Sequence, residues 1–207
     1  IFLCAGRILS GKRKMNRRYG NAQTIGDYVT QNTYFMTKQI GDGFLAILAD
    51  GTIDSVTGAY AAILACETIS KGIVSLKEAD KQLEQQFARA AALLNERLYK
   101  GRQPRVSALA ACFQGNRMFY RNVGDLSLVS YDGKELTVNR EGAGQLDVKG
   151  VTTLLCSQGV WQALGEIDLE KLLSGRRHPY EKAQNIIEAV NRRNLKNQRS
   201  ALAVIVA

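Results

Sequence analysis

The chain has 207 residues, 45% of them hydrophobic and 23% charged, with a formal net charge of +9. That length buries a sizeable core as one large or two small domains, and two prolines among scattered glycines leave no linker, low-complexity tract or internal repeat. Arg7, Lys12, Arg13, Lys14, Arg17 and Arg18 all precede the first acid, Asp27, so the remainder carries only about +3 and, lacking an aromatic-and-basic stripe, argues against nucleic acid as a partner.

The opening IFLCAGRIL is too short to span a bilayer. An apolar stretch followed at once by GKRKMNRR is how a transmembrane helix often exits on the cytoplasmic side. The expectation is a basic juxtamembrane or tail segment over 1–19, an anchor upstream of Ile1, and a cytoplasmic domain over 20–207.

GFLAILA (43–49) reads as a buried strand ending at Asp50-Gly51. An alanine-rich apolar helix is predicted over 57–70. An amphipathic one follows over 76–99, with Leu83, Phe87, Ala90, Ala91, Leu94 and Leu98 at helical spacing and Gly101 and Pro104 to stop it. The period then changes to two. VSALAACF (106–113), RMFYRNV (117–123) and LSLVSY (126–131) are strands joined by short Gly-containing turns, and KELTV follows another, which makes an antiparallel meander. VTTLLCS (151–157) is a later strand, 166–174 and 179–194 are helical, and SALAVIVA closes the chain as a buried strand. This order is α+β, not a repeating βαβ pattern, with the first helix pair covering one sheet and the later helices another.

Cys4, Cys66, Cys112 and Cys156 lack metal-finger or redox spacing, and the last three sit in apolar runs, as small buried thiols do. Asp50 alone supplies too few oxygens for a hard cation. By itself it reads as a helix cap or a partner for nearby backbone N–H groups. Asp54 reads as a solvated loop acid, Asp125 as a turn residue bonding local backbone, and Trp161 as core. Arg176, Arg177, Lys182, Arg192, Arg193, Lys196 and Arg199 read as a solvated basic face, with an acidic partner or membrane phosphates as the alternative.

ILADGTIDSVTGAYAA resembles the first metal motif of the 2C-type serine/threonine protein phosphatases, an aspartate-glycine pair followed by a glycine opening a helix. SALAACFQGNRMFYRNVGDLSLVSYDGKELT resembles that family's central meander, with its turn at Asn122 to Asp125. TTLLCSQGVWQAL resembles the strand and turn that end in Ser-Asp-Gly, and SALAVIVA the final strand that begins Asp-Asn. The motifs fall in family order from about residue 20 onward. The resemblance implies a four-layer α-β-β-α sandwich of two antiparallel sheets flanked by helix pairs.

It also implies two divalent cations held between the sheets, which bind the water that attacks phosphorus. Carried over one position at a time, the early aspartate falls on Thr33, and the aspartate-glycine pair is kept as Asp50 and Gly51. The Ser-Asp-Gly aspartate is Gln158, and the final Asp-Asn is Ser200-Ala201. The phosphate-gripping arginine falls on Tyr28. The histidine after the first pair has no counterpart, since the only histidine is His178, and the flap between meander and Ser-Asp-Gly turn is reduced to NREGAGQLDVKG. With three of four carboxylates neutral, the expectation is an inactive domain with no metal and no cofactor. Its role would be binding or regulation of a protein partner, acidic or phosphorylated, in bacterial signalling or secretion. The alternative is a phosphatase with an altered site, in which Asp50, Thr33, Gln158 and Ser200 hold one cation.

Overall fold

The computed structural model describes residues 17–100, 106–140 and 142–207. The expectations for Cys4, for the segment before Arg17 and for the helix stop at 101–104 lie outside the described residues.

Among the described residues, ten strands form two five-stranded antiparallel sheets, and four α-helices cover their outer faces. One sheet runs β2 (Thr33–Ile40), β3 (Gly43–Asp50), β4 (Ser107–Gln114), β5 (Arg117–Val123) and β8 (Gly142–Asp147). The other runs β1 (Tyr19–Thr24), β10 (Ala201–Val206), β9 (Thr152–Cys156), β6 (Ser127–Tyr131) and β7 (Leu136–Asn139). Helices α1 (Val56–Gly72) and α2 (Ala79–Leu94, continued by a π turn over Asn95–Tyr99) pack on the first sheet, and α3 (Gln158–Leu173) and α4 (Pro179–Arg193) on the second. The α-β-β-α sandwich expected from the resemblance is what forms.

Strand β3 shows why the two-residue period matters. All eight of its residues are buried, because both faces are covered. Leu45, Ile47 and Ala49 face the helices, while Phe44, Ala46 and Leu48 face the other sheet. In β10 the same alternation sends Leu202, Val204 and Val206 inward and Ala201, Ala203 and Ile205 toward α3 and α4. Asp50 and Ser200 continue the inward-facing rows, so the alternation aims both at the space between the sheets.

Four features differ from the sequence expectations. The segments 19–24 and 33–40 are strands; β1 starts at Tyr19, and the Arg18 N–H donates to the Ala207 carbonyl at 3.0 Å, so the folded part begins before the boundary set at residue 20. The shortened flap segment yields β8, which crosses to the first sheet and pairs with β5 from Asn122↔Gly142 to Arg117↔Asp147. Helix α3 begins at Gln158 rather than 166, with a break at Gly165, whose φ of 67° only glycine adopts easily. The basic face is broken up. Lys182 is buried and donates to the Leu173 carbonyl, Arg193 pairs with Asp168, Arg192 pairs with Glu188, and Arg199 turns inward. No helix among the described residues is long and apolar enough to cross a membrane.

Candidate functional site

At one end of the sandwich the strand ends bring the expected positions together. Thr33, at the start of β2, and Ser107, at the start of β4, are the cross-strand neighbours of Asp50, at the end of β3. Antiparallel neighbours share a face, so all three look into the space between the sheets. Opposite them, Ser157 at the end of β9 locks the start of β10. Its N–H donates to the Leu202 carbonyl and its Oγ accepts from the Leu202 N–H, both at 3.0 Å. That holds Ser200 and Gln158, each one residue away from this lock or from β10, at the same end.

The turn after Asp50 is tight. Gly51 N–H donates to the Asn32 carbonyl at 3.0 Å, and the Gly51 carbonyl accepts from Ile53 N–H at 2.5 Å. A Cβ on Gly51 would collide with the Gly58 carbonyl in the first turn of α1, so only glycine fits. The cap of α1 is Ser55, whose Oγ accepts from the Gly58 N–H at 3.1 Å. Asp50 is therefore not the helix cap; its Oδ1 accepts from the Thr52 N–H at 2.9 Å.

Its other oxygen meets a cation. The Arg199 guanidinium lies 3.5 Å from Asp50 Oδ2 and 3.1 Å from Asp125 Oδ2, joining a strand end of one sheet to the entry of β10 in the other. The Asp50 side chain is 1% exposed and that of Arg199 18%. Asp125 completes the cluster by accepting from Ser107 Oγ at 2.6 Å. It bonds across the chain, not to its own turn as the sequence suggested. Burial pushes the Asp50 carboxyl up to about 6, against the opposing pull of the Thr52 N–H and Arg199. Burial also works against the Arg199 charge, but Asp50 and Asp125 outweigh it and hold the guanidinium above its ordinary value.

The remaining candidates fall around this cluster. Tyr28 is close enough to Arg199 to interact with its charge. Asp54 is no free loop acid: its carboxylate accepts from the N–H groups of Val29 and Thr30 at 2.9 to 3.1 Å and ties the β1–β2 loop to the β3–α1 loop. Asp27 ties the same loop to Gln198 through paired backbone and side-chain bonds. Ser200 Oγ is buried and makes no hydrogen bond among the described residues. Trp161 is half-buried on α3, with the Arg140 guanidinium 4.5 Å above its ring. His178 caps α4, where its Nδ1 accepts from the Tyr180 N–H, near Gly20 and toward the other end of β1. Cys66, Cys112 and Cys156 are free and buried.

Sequence reasoning missed Arg199 because its charge placed it with the basic residues of α4. The available signal was its position: a lone cation directly before a wholly apolar strand whose inward row begins at Ser200.

The resemblance implies two divalent cations between the sheets, where the Arg199 guanidinium lies between Asp50 and Asp125, and the residues present do not fit them. Among the described residues no group of three His, Cys, Asp or Glu side chains could hold a metal ion. The Arg199 guanidinium already neutralises part of the carboxylate charge of Asp50 and Asp125 that would draw a divalent cation, and it would itself repel one.

Structural comparison places this architecture. The Mycobacterium tuberculosis serine/threonine phosphatase PstP/Ppp superposes with a TM-score of 0.79 over 92% of this chain and 97% of that one, at 16% identity. The S. agalactiae serine/threonine phosphatase gives 0.77 over 92% and 99%, at 14% identity. This chain has the 2C-type serine/threonine phosphatase fold. PppA of Pseudomonas aeruginosa, a key regulatory component of T6SS, shares it with a TM-score of 0.76 over 92% and 96%, at 17% identity. No family model matches the sequence, and no curated protein is significantly similar to it. The likeness to the 2C-type fold is thus one of architecture, and each position of the site must be judged on its own chemistry.

Proposed function

We propose that this chain is a catalytically inactive 2C-type phosphatase-like domain that acts as a binding or regulatory module, in bacterial signalling or secretion, through a protein partner. The observation that carries the reading is the Arg199 guanidinium set between Asp50 and Asp125. Two-metal hydrolysis needs cations that bind and acidify water. A guanidinium supplies positive charge but has no site for water as a ligand and no acidic proton near neutral pH. It can hold the two sheets together electrostatically, and it cannot make hydroxide. The regulatory role described for PppA, which shares the fold, supports a place in signalling or secretion.

The test is hydrolysis of p-nitrophenyl phosphate with millimolar Mn²⁺ or Mg²⁺. The expected result is no metal-dependent turnover. Turnover that disappears in Asp50→Asn contradicts the reading.

A second reading draws on the buried, unbonded Ser200 Oγ. In it, Asp50, Thr33, Gln158 and Ser200 hold one cation and sustain weak phosphatase activity. It requires Arg199 to leave both carboxylates first, so its signature is activity that rises in Arg199→Ala.

A further inference from the structure

We propose that the groove between α1 and α2 on the outer face of the first sheet is the docking site for an acidic amphipathic helix of a partner protein. The groove encloses about 470 Å³. Tyr60, Ile63 and Leu64 of α1 and Leu93 of α2 form its apolar walls, and Arg89 and Arg97 stand at its rim. The helix pair buries its other face, through Ala61, Ala65, Ile69, Leu83, Phe87 and Ala90, against the sheet. Leu64 is shared with that core, whereas Tyr60, Ile63 and Leu93 keep part of their surface in the groove.

Three observations select the occupant. First, the apolar surface continues beyond the groove: Tyr60 is 47% exposed, and Val56, four residues earlier and on the same helix face, is 78% exposed. Second, the groove takes its apolar walls from two neighbouring helices and its polar lining from Glu67, Thr68, Lys71, Arg89 and Arg97, which suits an amphipathic helix that lays an apolar face into a groove. Third, the charge is one-sided. Arg89 and Arg97 are exposed, flank Leu93 at four-residue spacing and make no ion pair among the described residues. The one acid in the lining, Glu67, is paired with Lys71 at 2.8 Å. An occupant with carboxylates beside its apolar stripe matches both features. The chain's own first 18 residues, with six bases and no acid, would be repelled. No residue lining the groove belongs to the Asp50–Arg199 cluster, so this proposal does not rest on the site being inactive.

The experiment selects binders from a displayed library of helical peptides of about 20 residues against the immobilised domain. Enriched sequences should carry apolar residues at helical spacing with Asp and Glu alongside. Their affinity should fall about tenfold or more in Arg89→Glu/Arg97→Glu and weaken with salt. Both arginines are exposed, so the melting temperature should not move. Tyr60→Ala gives an independent loss should the double variant fold poorly. Asp50→Asn and Arg199→Ala should leave binding unchanged, which separates this test from that of the inactive site. Four results overturn the proposal: enrichment of basic or uncharged peptides, binding indifferent to the double variant, no enrichment, or a dimer of this chain that the double variant dissolves.

Discussion

The two sheets present their strand ends to one shared space and have met it with opposite charges. The β2–β3–β4 side keeps Asp50, the glycine turn behind it and the Ser55 cap of α1. The β9–β10 side keeps its backbone just as tightly, through the Ser157–Leu202 lock, yet offers Ser200 and Gln158 at the positions where the resemblance leads one to expect carboxylates, and sends Arg199 across. The frame survives this inversion because main-chain bonds and apolar rows hold it, and neither depends on the charge between the sheets. On the proposed reading, what changes is who supplies the positive charge: a side chain, not a pair of ions.

The sharpest way to break the comparison is to remove the bridge. Arg199→Ala leaves Asp50 buried and unpaired and should cost about 3 kcal/mol at pH 7.5 in denaturant unfolding. Asp50→Asn in the same chain should return part of that loss, since the two are coupled. Additive losses would mean that the two residues act separately and that the guanidinium is not the counterion of Asp50.

A pH series sharpens it further. The Asp50 carboxyl titrates at about 6 in the folded state against 3.8 as its ordinary value. Between those values the folded state holds a proton that the unfolded state has lost, so stability from this group rises as pH falls from about 6 to about 4 and is lost again above 6. Relative to Asp50→Asn, wild type should gain roughly 2–3 kcal/mol over that interval. In Arg199→Ala the upper edge of that window should rise, because a charge that lowers the Asp50 value is gone. A flat difference between wild type and Asp50→Asn would show that Asp50 is not desolvated.

A smaller effect isolates the loop on the β2–β3 side. Asp54→Ala removes the acceptor for the Val29 and Thr30 N–H groups and should cost about 1 kcal/mol. Hydrogen exchange should quicken at those two amides and not at Leu202, whose bond to Ser157 belongs to the opposite side. Equal quickening on both sides would mean that the end of the sandwich opens as one unit.

How much of this was legible in the sequence depends on the kind of signal. Strand β3, the meander of β4, β5 and β6, and β10 announce themselves by dense apolar runs and two-residue alternation. Strand β1 does not, because its buried positions are Gly20 and Ala22, too small to register as a hydrophobic row. Strand β8 is an edge strand with only Leu146 and Gly144 partly covered, so its alternation is nearly absent. The first half of α3 was hidden by Gly159 and Gly165, which read as turn residues. At the site, Thr33, Asp50, Gly51, Gln158 and Ser200 were placed at one end by motif order, and the strand register brings them there. The roles of Arg199 and Asp125 were not legible. Their partnership spans 74 residues of sequence and is made by sheet packing, which local composition does not encode.

The most direct test of the charge inversion is calorimetric titration of Mn²⁺ into the wild-type domain at pH 7.5, beside a variant carrying Arg199→Ala, Thr33→Asp, Gln158→Asp and Ser200→Asp. The account predicts no saturable binding to wild type below about 1 mM and less than about 1 kcal/mol of stabilisation at that concentration. The restored variant should bind, with like-charge strain relieved as the cation enters. Saturable micromolar binding by wild type that vanishes in Asp50→Asn would contradict the account, because it would mean that Arg199 yields its place to a metal.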